Sequence, residues 1–333
     1  MKRLVTLSSL IVIAGLLLAA CGGAATTAAP APTEAPKPTE APKPTEAPKP
    51  TEAPKPTEAP KPDLLSEIKK RGYIVVSTDP NYEPQSFLNT TGKRPADTKC
   101  PSDQLTSAEM QGFDVDTAVE IGKRLGVETC FATPTWDAIT AGSWADKWDI
   151  SVGSMTITKD RQKVLDFITP YYYTPAVIAA AKDAGIKTVD DLKGKAVCAG
   201  TSTTYETWLK GEDLGLPAAS IYAKPPADVK VVTLETDQEC AQAIASGRKD
   251  FVAYVTSETV VDSNIAAGVP VEKIGKPVYS EDLSVSIDKS HSLPIDSLVA
   301  ELDKIVKDMH ADGTLTNFST KWFKADLTQA PTK

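Results

Sequence analysis

Two rhythms of apolar and polar positions alternate along residues 63–325. Short, mostly apolar runs at Tyr73–Thr78, Val127–Ala132, Asp149–Met155, Lys195–Ala199 and Asp250–Val255 read as strands. Between them the spacing changes to a helical one. Asp63 is placed to cap a short helix over Leu64–Lys70, which Gly72 ends. Asp114 is placed to cap a helix running through Leu125, with Val115, Ala118, Val119 and Gly122 on one face. Thr203 with Glu206, and Thr236 with Glu239, have the spacing of capping boxes. Leu298, Leu302, Ile305, Val306 and Met309 form one stripe of a final helix over Pro294–Ala311. Residues 89–111 break both rhythms and read as a long polar loop around Cys100. Strands alternating with helices predict open α/β sheets.

The first 62 residues follow neither rhythm. Met1-Lys2-Arg3 is a basic head, Leu4–Leu18 is mostly apolar, and Leu18-Ala19-Ala20-Cys21 ends the run with small residues. That string resembles a bacterial lipobox. It predicts a lipoprotein signal peptide over residues 1–20, with Cys21 as the acylated first residue of the mature chain. The apolar run is short for a transmembrane helix, and Thr6, Ser8 and Ser9 interrupt it. Residues 33–62 are five copies of Thr-Glu-Ala-Pro-Lys-Pro. With no apolar side chain larger than Ala or Pro to bury, they cannot build a core. Alternate prolines favour an extended, polyproline-like tether, so residues 21–62 read as a lipidated cysteine and its linker.

Charge and cysteine usage narrow the classes further. Residues 63–333 carry 39 acidic and 29 basic side chains. An acidic body with no basic block argues against a nucleic-acid partner. Two histidines far apart in sequence, with no HExxH or Cys-x-x-Cys, predict no transition-metal site. No cofactor is expected. Apart from Cys21 there are four cysteines, Cys100, Cys130, Cys198 and Cys240. An even number in an exported chain predicts two disulfides, with three possible pairings.

Nine motifs in order resemble the family 3 solute-binding proteins, the extracytoplasmic receptors of polar amino-acid ABC transporters. Gly112-Phe113-Asp114-Val115-Asp116, with Ala118 and Leu125-Gly126, is similar to the family signature. Val76-Ser77-Thr78-Asp79 leads to Tyr82, and Trp136-Asp137 follows the next strand. Trp148-Asp149-Ile150 leads to Ser154-Met155-Thr156-Ile157-Thr158 and Arg161, and Asp166-Phe167 precedes Pro170-Tyr171-Tyr172. Asp191-Leu192-Lys193-Gly194 leads to Gly200-Thr201-Ser202, then Gly247-Arg248-Lys249-Asp250. Ala311-Asp312-Gly313-Thr314 and Lys321-Trp322-Phe323 complete the series. The resemblance implies a two-lobed, periplasmic-binding-protein-like type II α/β fold with two crossover hinge segments. Lobe 1 would be residues 63–176 and 278–333, and lobe 2 residues 177–277. The crossings would lie near Thr174–Ile178 and Val278–Val285. On that division the pairs Cys100–Cys130 and Cys198–Cys240 each fall within one lobe.

The resemblance also implies a ligand cleft. Arg161 would bind a ligand carboxylate as a two-bond fork, together with Ser154 and Thr156. Thr201 and Ser202 would add donors from the opposite lobe. Tyr82 and Trp136 would form apolar walls, with Asp79 near the ligand's side-chain end. Trp144 and Trp148 read as core or rim. One position departs from the family pattern. Five residues after Asp250, where an acid usually holds the ligand's ammonium, stands Val255. Either another acid substitutes, with Glu206, Glu235 and Glu258 as candidates, or the ligand is no ordinary α-amino acid. Gln85 also stands where the family often has an aromatic residue. The expected protein is a monomeric, lipid-anchored receptor rather than an enzyme. It would sit outside the cell or in the periplasm and hand a small carboxylated solute to an ABC permease. The alternatives are a cyclohexadienyl-dehydratase-like enzyme on the same scaffold and a sensory solute-binding lipoprotein.

Overall fold

The computed structural model describes residues 62–331. The expected signal peptide, Cys21 and the tether up to Lys61 lie outside the described residues. Among the described residues no helix is long and apolar enough to cross a membrane.

Local chemistry sets the first elements. The Asp63 carboxylate accepts from the Ser66 N–H at 2.8 Å, and the Ser66 hydroxyl accepts from the Asp63 N–H at 3.0 Å. This reciprocal cap starts the helix Leu64–Arg71, and Gly72, in left-handed backbone, ends it. The next helix, Phe113–Leu125, begins two residues before the sequence suggests, so Asp114 is not its cap. The cap is Gly112, whose φ is 130°. A Cβ there would lie 2.1 Å from the Gln85 carbonyl oxygen. Only glycine lets the chain pass so close, and the tighter start turns Asp114 into the interior.

One sheet runs through both lobes. Its order is Lys230–Leu234, Ala196–Gly200, Ala253–Ser257, Tyr172–Ala181, Val271–Asp288, Ile150–Thr156, Tyr73–Ser77, Glu128–Ala132 and Leu105–Thr106, with Leu165–Phe167 also paired on Val271–Asp288. Tyr73–Ser77 is parallel to both neighbours and lies in the interior of its lobe. Tyr172–Ala181 and Val271–Asp288 are the two crossings. They pair antiparallel, with Glu281 opposite Thr174. Their register shifts between Ile274 and Tyr279, around Gly275 and a proline that has no N–H to donate.

Two apolar cores sit on either side of this pair. One joins Ile74, Val76, Phe113, Ile121 and Phe131 to Leu298, Leu302 and Val306 of the late helix Asp296–Ala311. The chain thus returns to its first lobe at the end. The other core packs Ile178, Val197, Trp208, Val255 and Tyr279. The long loop is pinned rather than free. Cys100 is joined to Cys130, and the Arg94 guanidinium donates to the carbonyls of Pro101 and Gln104. Cys198 is joined to Cys240 beneath the second lobe's strands.

Candidate functional site

Between the lobes lies a narrow cavity lined from both sides, by Tyr82, Trp136 and Arg161 of the first lobe and Thr204, Tyr205 and Asp237 of the second. Arg161 enters it from the turn Arg161–Lys163, whose first N–H is held by the Thr158 hydroxyl at 3.2 Å. Its guanidinium is about nine-tenths buried. It donates to the Thr156 carbonyl at 3.0 Å and, across the cleft, to the Ser202 carbonyl at 3.3 Å. It lies 5.4 Å above the centre of the Trp136 ring. Among the described residues no carboxylate comes within 4 Å of it. A buried, always-charged fork with carbonyls on only part of its donors retains N–H groups for an anion.

Ser154 and Thr156 line the same cavity, but their protons are already used. The Ser154 hydroxyl donates to Asp114 at 2.7 Å and accepts from the Tyr172 hydroxyl at 2.7 Å. Its N–H donates to the Tyr171 oxygen at 2.8 Å, and Tyr171 donates to Asp114 at 2.8 Å. This buried square holds Ser154 at φ 54°, in left-handed backbone. The Thr156 hydroxyl donates to Glu281 at 2.6 Å. Towards the cavity both hydroxyls therefore offer lone pairs, which suit a nitrogen donor better than a carboxylate. Burial pushes the Asp114 carboxyl up to about 7. Asp114→Ala would leave two buried hydroxyls without an acceptor. The expected loss is roughly 2–4 kcal/mol of unfolding free energy, read from the urea midpoint, with a smaller loss for Asp114→Asn.

The opposite wall differs from expectation. Thr201 is exposed, and both its N–H and its hydroxyl donate to the Leu234 carbonyl at 2.9 Å. Ser202, at φ 60°, directs its N–H to Glu206 at 2.7 Å and its carbonyl to Arg161. Neither residue lines this central cavity, but Ser202 lines an adjoining interlobe pocket with Arg161 and Thr158, and Thr201 one with Trp136 and Glu235. The left-handed turn at Ser202 brings the next residues, Thr203 and Thr204, to the wall instead. Tyr82 and Trp136 do line it, and Tyr82 reaches Tyr205 of the second lobe, oxygen to oxygen at 3.3 Å. Trp144 and Trp148 pack at a tilt, ring centres 5.3 Å apart, inside the first lobe, in a core cluster with Ile139 and Met155.

Asp79 and Glu235 stand at the cavity as expected, and sequence reasoning missed two further acids, Asp237 and Glu281. Asp79 lines the cavity and accepts from the Asn81 N–H at 2.8 Å. Burial pushes its carboxyl up to about 6, and Glu235 and Glu239 add to the shift. Asp237, the first residue of the helix Asp237–Ala245, is 4% exposed. Its oxygens accept from the Gly200 N–H at 2.6 Å and the Thr256 hydroxyl at 3.0 Å. Burial pushes it up to about 7, reinforced by Glu281 and Asp79. Glu281, on the second crossing strand and 1% exposed, accepts from Thr156, Thr204 at 2.7 Å and Tyr205 at 2.8 Å. It thereby ties the two lobes together. Of the sequence's candidate acids, Glu235 lines the cavity. Glu206 pairs instead with Lys210, and Glu258 with Lys273. Val255 packs in the second core, and its neighbour Thr256 meets Asp237. Gln85 is fully buried and donates across the lobes to the Thr259 hydroxyl at 2.6 Å, which is work an aromatic ring could not do.

Residues 74–325 match the bacterial extracellular solute-binding proteins, family 3. The chain belongs to that family. As a family 3 solute-binding protein it is 29% identical over 268 residues to the L-cystine-binding protein TcyJ of Escherichia coli K12. That match covers 80% of this chain and 88% of TcyJ. It is 28% identical over 218 residues to the arginine-binding protein 1 of the same organism's ABC transporter, covering 65% of this chain and 82% of that protein. Among solved structures, the P235GK mutant of ArgBP from T. maritima superposes with a TM-score of 0.62 at 26% identity, over 78% of this chain and 99% of that one. The ancestral amino acid-binding protein AncCDT-1, a precursor of cyclohexadienyl dehydratase, gives the same TM-score at 30% identity and the same coverage. The two-lobed family 3 architecture and its interlobe cleft are those described above. All four of these relatives carry names of binding proteins.

Proposed function

We propose that this family 3 protein is the substrate-binding lipoprotein of an ABC importer, taking an amino acid or amino-acid-like solute in its interlobe cleft. One observation carries the reading. Arg161 is buried at the cleft and bonded to carbonyls of both lobes; Glu281 acts on its charge from nearby, but among the described residues no carboxylate comes within ion-pair distance, 4 Å, of it. A ligand carboxylate on that fork would bridge the lobes and favour the closed state, because only closure brings both sets of groups to it. The same cavity is lined by Asp79, Glu235, Asp237 and Glu281, an excess of acid that favours ligands with neutral or cationic side chains over acidic ones. The names of the cystine-binding and arginine-binding relatives agree with such solutes. Cys21 would hold the protein to the outer leaflet of the cytoplasmic membrane or keep it in the periplasm, the repeat tether would give it reach, and a permease would receive the solute from a monomer. Ligand residues in this reading are Asp79, Tyr82, Trp136, Ser154, Thr156 and Arg161. Thr201 and Ser202 would serve from the second lobe, at the adjoining pockets they line with Trp136 and Arg161.

A thermal-shift screen of amino acids, their derivatives and dicarboxylates tests the reading. The expected result is a rise of several degrees with polar or basic amino acids and none with dicarboxylates. A screen with no carboxylate among its hits would sink it. The dehydratase alternative draws on the buried acids of the cleft, which supply the protonated carboxyl such chemistry needs. Product formed from prephenate or arogenate would establish that alternative.

A further inference from the structure

We propose that Asp237 holds the ligand's ammonium group, replacing the strand-end acid whose place Val255 occupies, so that the ligand is a zwitterionic α-amino acid rather than a simple carboxylate. The inference rests on the reading that Arg161 takes the ligand's carboxylate.

The strand Ala253–Ser257 explains why the charge is elsewhere. Side chains alternate along it. Val255 therefore points into the second core while Thr256 points towards the cleft side. A carboxylate at Val255 would be buried among Ile178, Val197 and Tyr279. The Thr256 hydroxyl instead donates to the Asp237 carboxylate, which reaches the site from the start of a neighbouring helix.

Gly200 makes that reach possible. A Cβ there would stand 2.6 Å from the Asp237 Oδ1 atom. Without it, the carboxylate comes close enough to accept the Gly200 N–H. Those two bonds fix the orientation of the group and leave a lone pair free on each oxygen.

Asp237 also lacks what a structural buried carboxylate has. No Lys, Arg or His of the described residues comes within 4 Å of it, and it lines the cavity that Arg161 enters. Arg161 and Asp237 thus share one cavity without pairing with each other, while Glu281 is the acid whose charge acts on Arg161. That is the arrangement a ligand carrying both charges would complete. The acceptor-only hydroxyls of Ser154 and Thr156 add lone pairs for the ammonium's remaining protons.

The other acids fit the role less well. Glu281 already accepts three hydroxyl protons. Asp79 is only partly buried, and its neighbours are Glu235 and Glu239. The residue before Asp237 is itself engaged on closure, since the Asn81 side chain donates to the Thr236 hydroxyl at 3.3 Å. Closing the lobes therefore seats this helix start against the first lobe.

The test uses the full chain and its Asp237→Asn variant. Both are screened by thermal shift against the twenty standard L-amino acids and L-cystine. The strongest binder and its des-amino carboxylate are then titrated by calorimetry. Asp237→Asn is expected to weaken the amino acid about 50-fold and to change the des-amino compound less than about threefold. Thr256→Val, which keeps the charge and removes one anchor, is expected to weaken the amino acid about fivefold, so the proposal stays testable should the Asn variant fold poorly. Amino-acid binding by Asp237→Asn within threefold of wild type overturns the proposal. So does a wild type that binds the des-amino compound as tightly as the amino acid. If the wild type binds simple carboxylates and no amino acid, Asp237 loses this role while the Arg161 reading stands. If it binds nothing that carries a carboxylate, the Arg161 reading falls first.

Discussion

Arg161→Ala is expected to weaken ligand binding by at least about 100-fold while the protein still folds. Truncating one partner of a buried, hydrogen-bonded charge pair costs roughly 2–5 kcal/mol, because the other charge is left desolvated and unpaired. Here the charge left behind would be the ligand's carboxylate, facing a wall of acids. The loss reaches closure as well. The guanidinium is one of the groups that bond across the lobes, through the Ser202 carbonyl. It also presses on Trp136, so the aromatic wall loses its neighbour. Some stability goes with it, since the carbonyls of Thr156 and Ser202 lose a donor and Glu281 a nearby positive charge, so the melt of the empty variant is the reference for its ligand-induced shift. Arg161→Lys keeps the charge but not the planar fork and should fall in between. Calorimetric titration alongside a thermal melt separates the cases. Equal ligand-induced shifts in wild type and Arg161→Ala would remove this residue from the site.

Arg161 was expected at the cleft on the family motif, since a strand, a threonine and an arginine in the next turn read by themselves just as well as a surface salt-bridge arginine; the structure does place its side chain at the cavity. The opposite wall was not legible in the same way. Gly200-Thr201-Ser202 spells a set of donors, but which of them faces the cleft depends on where the backbone turns left-handed. The turn comes at Ser202, and this moves the wall on to Thr203 and Thr204. Asp237 was hidden inside a capping pattern. Thr236 and Glu239 do form the cap, with Thr236 accepting from the Glu239 N–H at 3.2 Å. Nothing local says that the residue between them turns back to Gly200, 37 positions earlier. Glu281 was the most remote, since its partners Thr156 and Thr204 lie 125 and 77 residues away. The readable hint was an acid within a segment expected to cross between lobes. Burial there is forced by topology, so a charge in that segment has to find partners from both sides.

The raised carboxyls give opposite pH dependences to the empty protein and to its complex. Asp237 and Asp114 are pushed from 3.8 up to about 7 by burial. Between about pH 4 and 7 the unfolded chain ionises these groups and the folded protein does not, so the folded state binds more protons. Stability of the empty protein therefore falls as pH rises through that window, by several kcal/mol between the two groups. Below pH 4 the slope reverses, because Asp63 and Asp312 are held at about 2 by hydrogen bonds to their ionised forms. The empty protein should be most stable near pH 4–5. Binding runs the other way. Around Asp237 stand Asp79 of the first lobe, Glu281 of the crossing strand and the phenols of Tyr82, Tyr205 and Tyr254. In the empty cleft these acids resist a further negative charge, and a ligand ammonium reverses that preference and expels the proton. Affinity for an amino acid should thus be about 100-fold weaker at pH 5 than at pH 8. Proton release should show in calorimetry as a binding heat that varies with the buffer's ionisation enthalpy. Asp237→Asn separates the two effects. It should flatten the binding profile yet keep much of the stability slope, because Asp114 lies outside the cavity and still titrates. A binding profile equally steep in that variant would place the titrating acid elsewhere in the cleft, with Asp79 the next to examine.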